Sequence, residues 1–249
     1  MPSPDLHLLA LGSVIEVEIT GSGAAVAQEA VRSAWSWCVN DLGLPATVRV
    51  QATYELSEPL DGFMERFTQQ INYAAIESQS GQLLMLHACT LASGDGRVVA
   101  LIAPSGTGKT TAALALGSKF SYLSDETAGV LPDLSVVAYP KPLSVIETVG
   151  APKRQVSPAE LFGDAPSGPY QLGSLLYLSR HASGPASIEE VPLLESLALL
   201  APQTSFLSRL SKPLHRLAEA VTACGGLRIV HYSDAADLAA IVAEELKSS

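Results

Sequence analysis

Eight consecutive residues, Ala103-Pro104-Ser105-Gly106-Thr107-Gly108-Lys109-Thr110, have the types and spacing to hold a chain of phosphates. They follow the pattern GxxxxGK[ST], with Ala103 in place of the first glycine. Gly106 and Gly108 let the backbone curl so that successive N–H groups point at phosphate oxygens. Lys109 brings a point charge to the outer phosphates, and the Thr110 hydroxyl can ligate Mg²⁺. The expected nucleotide contacts are Ser105, Gly106, Thr107, Gly108, Lys109, Thr110 and Thr111. A short β-rich run, 98–102, enters the loop, and an Ala/Leu-rich helical run, 111–116, leaves it. That strand–loop–helix context disfavours the bland alternative, a glycine-rich turn with a stray lysine. The helix that follows adds its positive N-terminal end to the same anion.

Three further groups could act on such an anion. Asp125-Glu126 comes sixteen positions after Lys109 (125 − 109), at the end of a short apolar run. A carboxylate there can hold Mg²⁺ or accept the proton of an attacking hydroxyl. Its alternative role is a turn between two strands, which Asp favours. His87 interrupts the apolar run 83–91, where a lone histidine is more often structural than catalytic. Lys141 and Arg154 are cations that could fold toward a nucleotide, or simply be solvated.

The elements that must position these groups are legible in outline. Residues 7–19 suggest strands, 24–40 a helix and 46–54 a strand; Phe63, Phe67, Ile71 and Ala74 mark a helix over 61–78. Strands are expected over 83–91 and 97–103, joined at Ser93-Gly94-Asp95-Gly96, because an Asp-Gly step favours a tight hairpin. The strand feeding the loop should therefore have an antiparallel partner just before it. Short strands follow over 120–123, 128–131, 135–138 and 142–146. Residues 150–170 read as a long functional loop or lid with one short helix over 158–162. A strand over 172–178, helices over 189–200 and 206–224, a strand over 227–232 and a helix over 234–247 complete the chain. This predicts an α/β protein with a small N-terminal α/β unit, residues 1–80, and a nucleotide-binding domain, residues 81–249.

The chain has 249 residues, 47% hydrophobic and 16% charged, enough for an ample core. A net charge of −10 without a basic run disfavours nucleic acid as a partner. No apolar stretch is long enough to span a bilayer, and Met1–Asp5 lacks the basic start of a signal peptide. The three cysteines are far apart, with no CxxC pair, which predicts a reducing, cytoplasmic setting rather than a zinc site.

Together, Leu86-His87-Ala88, the Gly-Asp-Gly turn, the strand into APSGTGKT, and Ser124-Asp125-Glu126 resemble the HPr kinase/phosphorylase superfamily, more closely its shorter HPr-kinase-related members. The resemblance covers about residues 83–146, with an echo over 227–237. It implies a P-loop kinase with a phosphoenolpyruvate-carboxykinase-like core, an antiparallel-rich mixed sheet flanked by helices. It also implies ATP and Mg²⁺ as cofactors, Asp125 as catalytic acid/base, His87 as its neighbour, Lys109 as phosphate anchor and Thr110 as metal ligand. Glu126 stands where the family has the second Asp of an Asp-Asp pair, and is a further candidate metal ligand. The implied reaction is phosphorylation of a hydroxyl on a protein, peptide or metabolite, with a homo-oligomer as an option. Ala103 and Glu126 keep a second reading open: a nucleotide-binding regulatory or assembly protein that transfers nothing. A simple NTPase lacks an NKxD-like guanine reader.

Overall fold

A computed structural model describes residues 6–40, 43–148, 150–181 and 183–247; the signal-peptide reading at Met1–Asp5 lies outside them. The chain divides into two compact units. One holds the residues up to Gln79 together with Tyr139–Ala165; the other holds Ser80–Ala138 and the chain from Pro166 onward.

The first unit begins with strands β1 (Leu6–Ala10) and β2 (Ser13–Thr20), paired antiparallel, then helix α1 (Ala24–Ala34), strand β3 (Val48–Thr53) and helix α2 (Leu60–Ser78). β3 pairs parallel to β2, with α1 in the crossover. α2 buries Phe63, Phe67, Ile71 and Ala75, so the apolar stripe closes on Ala75 rather than Ala74. Trp35 meets Phe67 edge-on at 6.2 Å between ring centroids.

The second unit starts with β4 (Leu84–Ala92) and β5 (Arg97–Ile102), the antiparallel hairpin expected from the Asp-Gly turn. Helix α3 (Lys109–Leu116) and strands β6 (Ser121–Ser124), β7 (Thr127–Val130) and β8 (Val136–Val137) follow. The chain then returns to the first unit as the hairpin of β9 (Leu143–Val145) and β10 (Arg154–Val156) and the short helix α4 (Pro158–Phe162). β10 packs on α2. Of the segment 150–170, expected to be a loop or lid within 81–249, residues 150–165 belong to the first unit and 166–170 to the second.

Back in the second unit come β11 (Gln171–Arg180), β12 (Ser187–Val191), α5 (Leu193–Leu200), β13 (Thr204–Ser205), α6 (Pro213–Ala223), β14 (Leu227–Tyr232) and α7 (Leu238–Glu245). Two expected helices are shorter than their patterns. Residues 187–191 form an edge strand that stops at Pro192, and α6 starts at Pro213, because proline lacks an N–H and is tolerated only at a helix start.

The second unit is built on one large mixed sheet. Among the described residues its main path runs β12-β14-β11-β5-β4-β7-β8, with β6 and β13 also paired to β4. β14, β11 and β5 are mutually parallel; the other pairings are antiparallel. Leu84, Leu86, Ala88, Val98, Ala100 and Ile102 share a core with Leu200 of α5 and Leu217 and Val221 of α6. The residues between them, such as Met85, Cys89, Val99 and Leu101, are buried as well, so both faces of the sheet are covered. The architecture is mixed α/β, a large mixed sheet flanked by helices. Among the described residues no helix is long and apolar enough to cross a membrane. Cys38, Cys89 and Cys224 are all free and buried.

Candidate functional site

The loop 103–108 leaves the buried end of β5 and opens α3. Gly106 and Gly108 adopt φ of +82° and +108°, a backbone region that side chains strongly disfavour. Ala103 is not among the positive-φ residues and is fully buried. The curl is thus made at the two glycines present, and a methyl group fits where the pattern has its first glycine. Tyr232, at the end of β14, donates its hydroxyl to the Thr107 carbonyl at 2.8 Å. This support was missed by sequence reasoning, because nothing local ties residue 232 to residue 107.

Lys109 is the first residue of α3 and is only 6% exposed. Its ammonium donates to the carbonyls of Ala103 (2.7 Å) and Pro104 (3.1 Å). Burial lowers its pKa from the ordinary lysine value, and the charges of Glu126 and Asp125 act to raise it again.

Asp125 lies between β6 and β7 and is 4% exposed. The Thr110 hydroxyl donates to its Oδ2 at 2.8 Å, and the Tyr122 hydroxyl to its Oδ1 at 3.0 Å. A carboxylate has about four lone-pair sites, and these two hydroxyls take two of them. The Ser124 hydroxyl accepts from the backbone N–H groups of Glu126 and Thr127 at 3.1 and 3.2 Å, which fixes the turn presenting both carboxylates. The turn expected between the two strands is therefore present at this position.

His87 is the one position in β4 that is not fully buried. Its Nε2 lies 3.5 Å from Glu126 Oε1. Burial, and then the Lys109 charge, lower its pKa below the ordinary histidine value, while Glu126 and Asp125 pull it upward. The net direction keeps the ring neutral at neutral pH. Beneath these groups, the Cys89 thiol is pushed up by burial and by the Asp125 charge, and stays protonated.

The structure thus brings together His87, Lys109, Thr110, Asp125 and Glu126, which the sequence separates by up to 39 positions (126 − 87). Among the described residues no group of three or more His, Cys, Asp or Glu is placed to hold a metal ion. One hydroxyl and one or two carboxylates form the sparser donor set that suits Mg²⁺, which keeps waters and binds substrate phosphates. Lys141 and Arg154 belong to the first unit. Lys141 is 1% exposed and donates to the Pro142 carbonyl at 3.0 Å, so it is not a solvated surface charge. Arg154 is exposed and pairs with Glu147 at 3.0 Å. Neither is among the groups gathered at the loop.

On the opposite flank of the loop, the ends of β11 and β14 leave a cleft of about 650 Å³. It is walled by Gly106 and Thr107 on one side and by Ser179, Arg180, His181 and Ser233 on the other. None of these last four residues carried a sequence signal. Comparison with known families finds no family model that matches the chain, and comparison with curated proteins finds no match.

Proposed function

We propose that the second unit binds a magnesium nucleoside triphosphate, ATP by the sequence resemblance, and transfers its γ-phosphoryl group to a hydroxyl. The observation that carries this reading is the 2.8 Å hydrogen bond from Thr110 to Asp125. It ties the hydroxyl that follows the loop lysine to a carboxylate fifteen residues later, beside a neutral histidine. Phosphoryl transfer needs positioning, charge neutralisation and a proton acceptor, and these groups match the three needs.

In this reading, the backbone N–H groups of 105–111 hold the phosphate chain and Lys109 exchanges its carbonyl partners for phosphate oxygens. Thr110 and Asp125, with Glu126 adjacent, are the residues that would hold Mg²⁺, which when bound offsets charge on the outer phosphates. Asp125 accepts the proton of the acceptor hydroxyl as the new O–P bond forms. The bond from the γ-phosphorus to the bridging oxygen breaks, and the nucleoside diphosphate leaves with that electron pair. His87 lies 3.5 Å from Glu126 and, with its pKa lowered by burial, adds no positive charge that would compete for the carboxylates. The acceptor is a hydroxyl of a protein, peptide or small metabolite, and the HPr-kinase-like type of the fold belongs to the same proposal.

A second reading, a nucleotide-binding regulator without transfer, is favoured by the burial of Asp125, which an acceptor hydroxyl must still reach. The two separate in one experiment: γ-labelled ATP with Mg²⁺ and a panel of protein, peptide and metabolite hydroxyls, run on wild type and Asp125→Asn. Transfer that falls at least about 100-fold in the variant, with ATP affinity nearly kept, supports the kinase. Full transfer by the variant removes Asp125 from the chemistry. Tight binding with no transfer to any acceptor assigns the regulator.

A further inference from the structure

The loop has two flanks, and the sheet order decides which is which. β5 lies between β4 on one side and β11 on the other. His87 is on β4, and β6 and β7, which bracket Asp125 and Glu126, also pair with β4. The flank toward β11 and β14 is different in kind. These strands and β5 are parallel, so their carboxyl ends gather at one edge, where open α/β sheets bind ligands. β11 is in register with β5 at Tyr177 and Ile102, so Leu178, Ser179 and Arg180 continue past the end of β5 and run beside the loop. At the end of β14 the Tyr232 hydroxyl donates to the Thr107 carbonyl and ties the loop to this strand.

The cleft these elements frame has the size of a small-ligand site, about 650 Å³. Acidic residues outnumber basic ones 25 to 15 in the whole chain, yet none of the described residues lining this cleft is a carboxylate. Its charged lining group is Arg180, exposed and planar, suited to stacking on a flat ring or to meeting a phosphate oxygen. His181 is positioned by its own backbone N–H on the Tyr232 carbonyl at 2.9 Å. Its Nδ1 lies 2.8 Å from the Ser183 carbonyl, which can only accept. Nδ1 therefore donates to that carbonyl, and Nε2 is the ring nitrogen left to meet a ligand.

We infer that this cleft takes the nucleoside, base and sugar, of the triphosphate, with Arg180 and His181 as its contacts, and that the nucleotide lies across the loop from the β11–β14 flank toward His87. The inference rests on the proposed phosphate role of the loop, and it adds the direction of the nucleotide and the residues that recognise it. The outer phosphate then faces Asp125 and Glu126, and the base lies in the cleft whose described lining holds no carboxylate.

Calorimetric titration of the full chain with Mg·ATP and with Mg·tripolyphosphate, which has the phosphates but no nucleoside, tests the inference. Wild type is expected to bind ATP about tenfold or more tighter than tripolyphosphate, the order of one good ring contact. The double variant Arg180→Ala/His181→Ala should lose about tenfold for ATP and stay within about twofold for tripolyphosphate, whose retained binding also reports that the variant is folded. Lys109→Ala should weaken both ligands. Unchanged ATP affinity in the double variant overturns the nucleoside assignment and leaves the loop reading intact. Equal losses for both ligands also overturn it, by placing the two side chains on the phosphates. A wild type that binds neither ligand overturns the loop reading itself.

Discussion

The antiparallel and parallel halves of the large sheet meet at β5, and they furnish the loop with different things. On the antiparallel side, short connections deliver groups held close to one another. Asp125 is 4% exposed and accepts from two hydroxyls, and His87 sits against Glu126. On the parallel side, strands joined by long crossovers end together and leave space, walled by an exposed Arg180 and a half-buried His181. Hairpins fix neighbours along the chain at hydrogen-bonding distance, so they suit a constellation that must be rigid. Parallel strands cannot be joined so tightly, and their aligned ends suit a cleft.

Three substitutions probe that division. The largest effect is expected at Gly96, which closes the β4–β5 hairpin and also accepts from the Gln171 N–H at the start of β11 (2.9 Å), stitching the two halves together. Its φ is +87°, and an added Cβ would lie 2.3 Å from the Pro169 carbonyl oxygen. Gly96→Ala should cost about 3 kcal/mol or more of stability in a denaturant titration. A midpoint like that of wild type would show that the halves are not coupled at this turn.

Ala103→Gly comes next. It removes a fully buried methyl, worth about 0.8 kcal/mol, and frees the backbone, worth about 0.5–1 kcal/mol. Stability should fall by about 1.5 kcal/mol while ATP affinity stays the same. Tighter ATP binding in that variant would break the argument that Gly106 and Gly108 alone make the curl.

The smallest effect is expected for Tyr232→Phe, which removes the parallel half's one hydrogen bond to the Thr107 carbonyl among the described residues. Stability should drop by about 1 kcal/mol, and ATP affinity by about threefold through the loosened loop. An affinity loss as deep as that of Lys109→Ala would shift weight in the site from the carboxylate flank to the parallel flank.

The antiparallel side was legible because its signals are local. Asp95-Gly96 encodes a hairpin, and GxGKT encodes a curl followed by a helix; both appear where expected. Where the reading diverged, a single residue or a distant contact decided. Pro192 and Pro213 cut helical patterns short, and β10 pairs with β9 and packs on α2, although residues 150–170 carry the composition of a loop.

By itself the sequence determined the types and order of the candidate groups: a histidine, a glycine-curled loop with its lysine and threonine, and a carboxylate pair. Their spacing along one hairpin and one strand–loop–helix unit follows from turn chemistry and backbone sterics, which act over a few residues. Only the tertiary structure decided that Thr110 bonds Asp125, that Tyr232 supports Thr107, and that residues 179–181 and 233 wall a cleft beside the loop. Those juxtapositions depend on strand order and on a parallel register between segments more than fifty residues apart, and no local propensity encodes them.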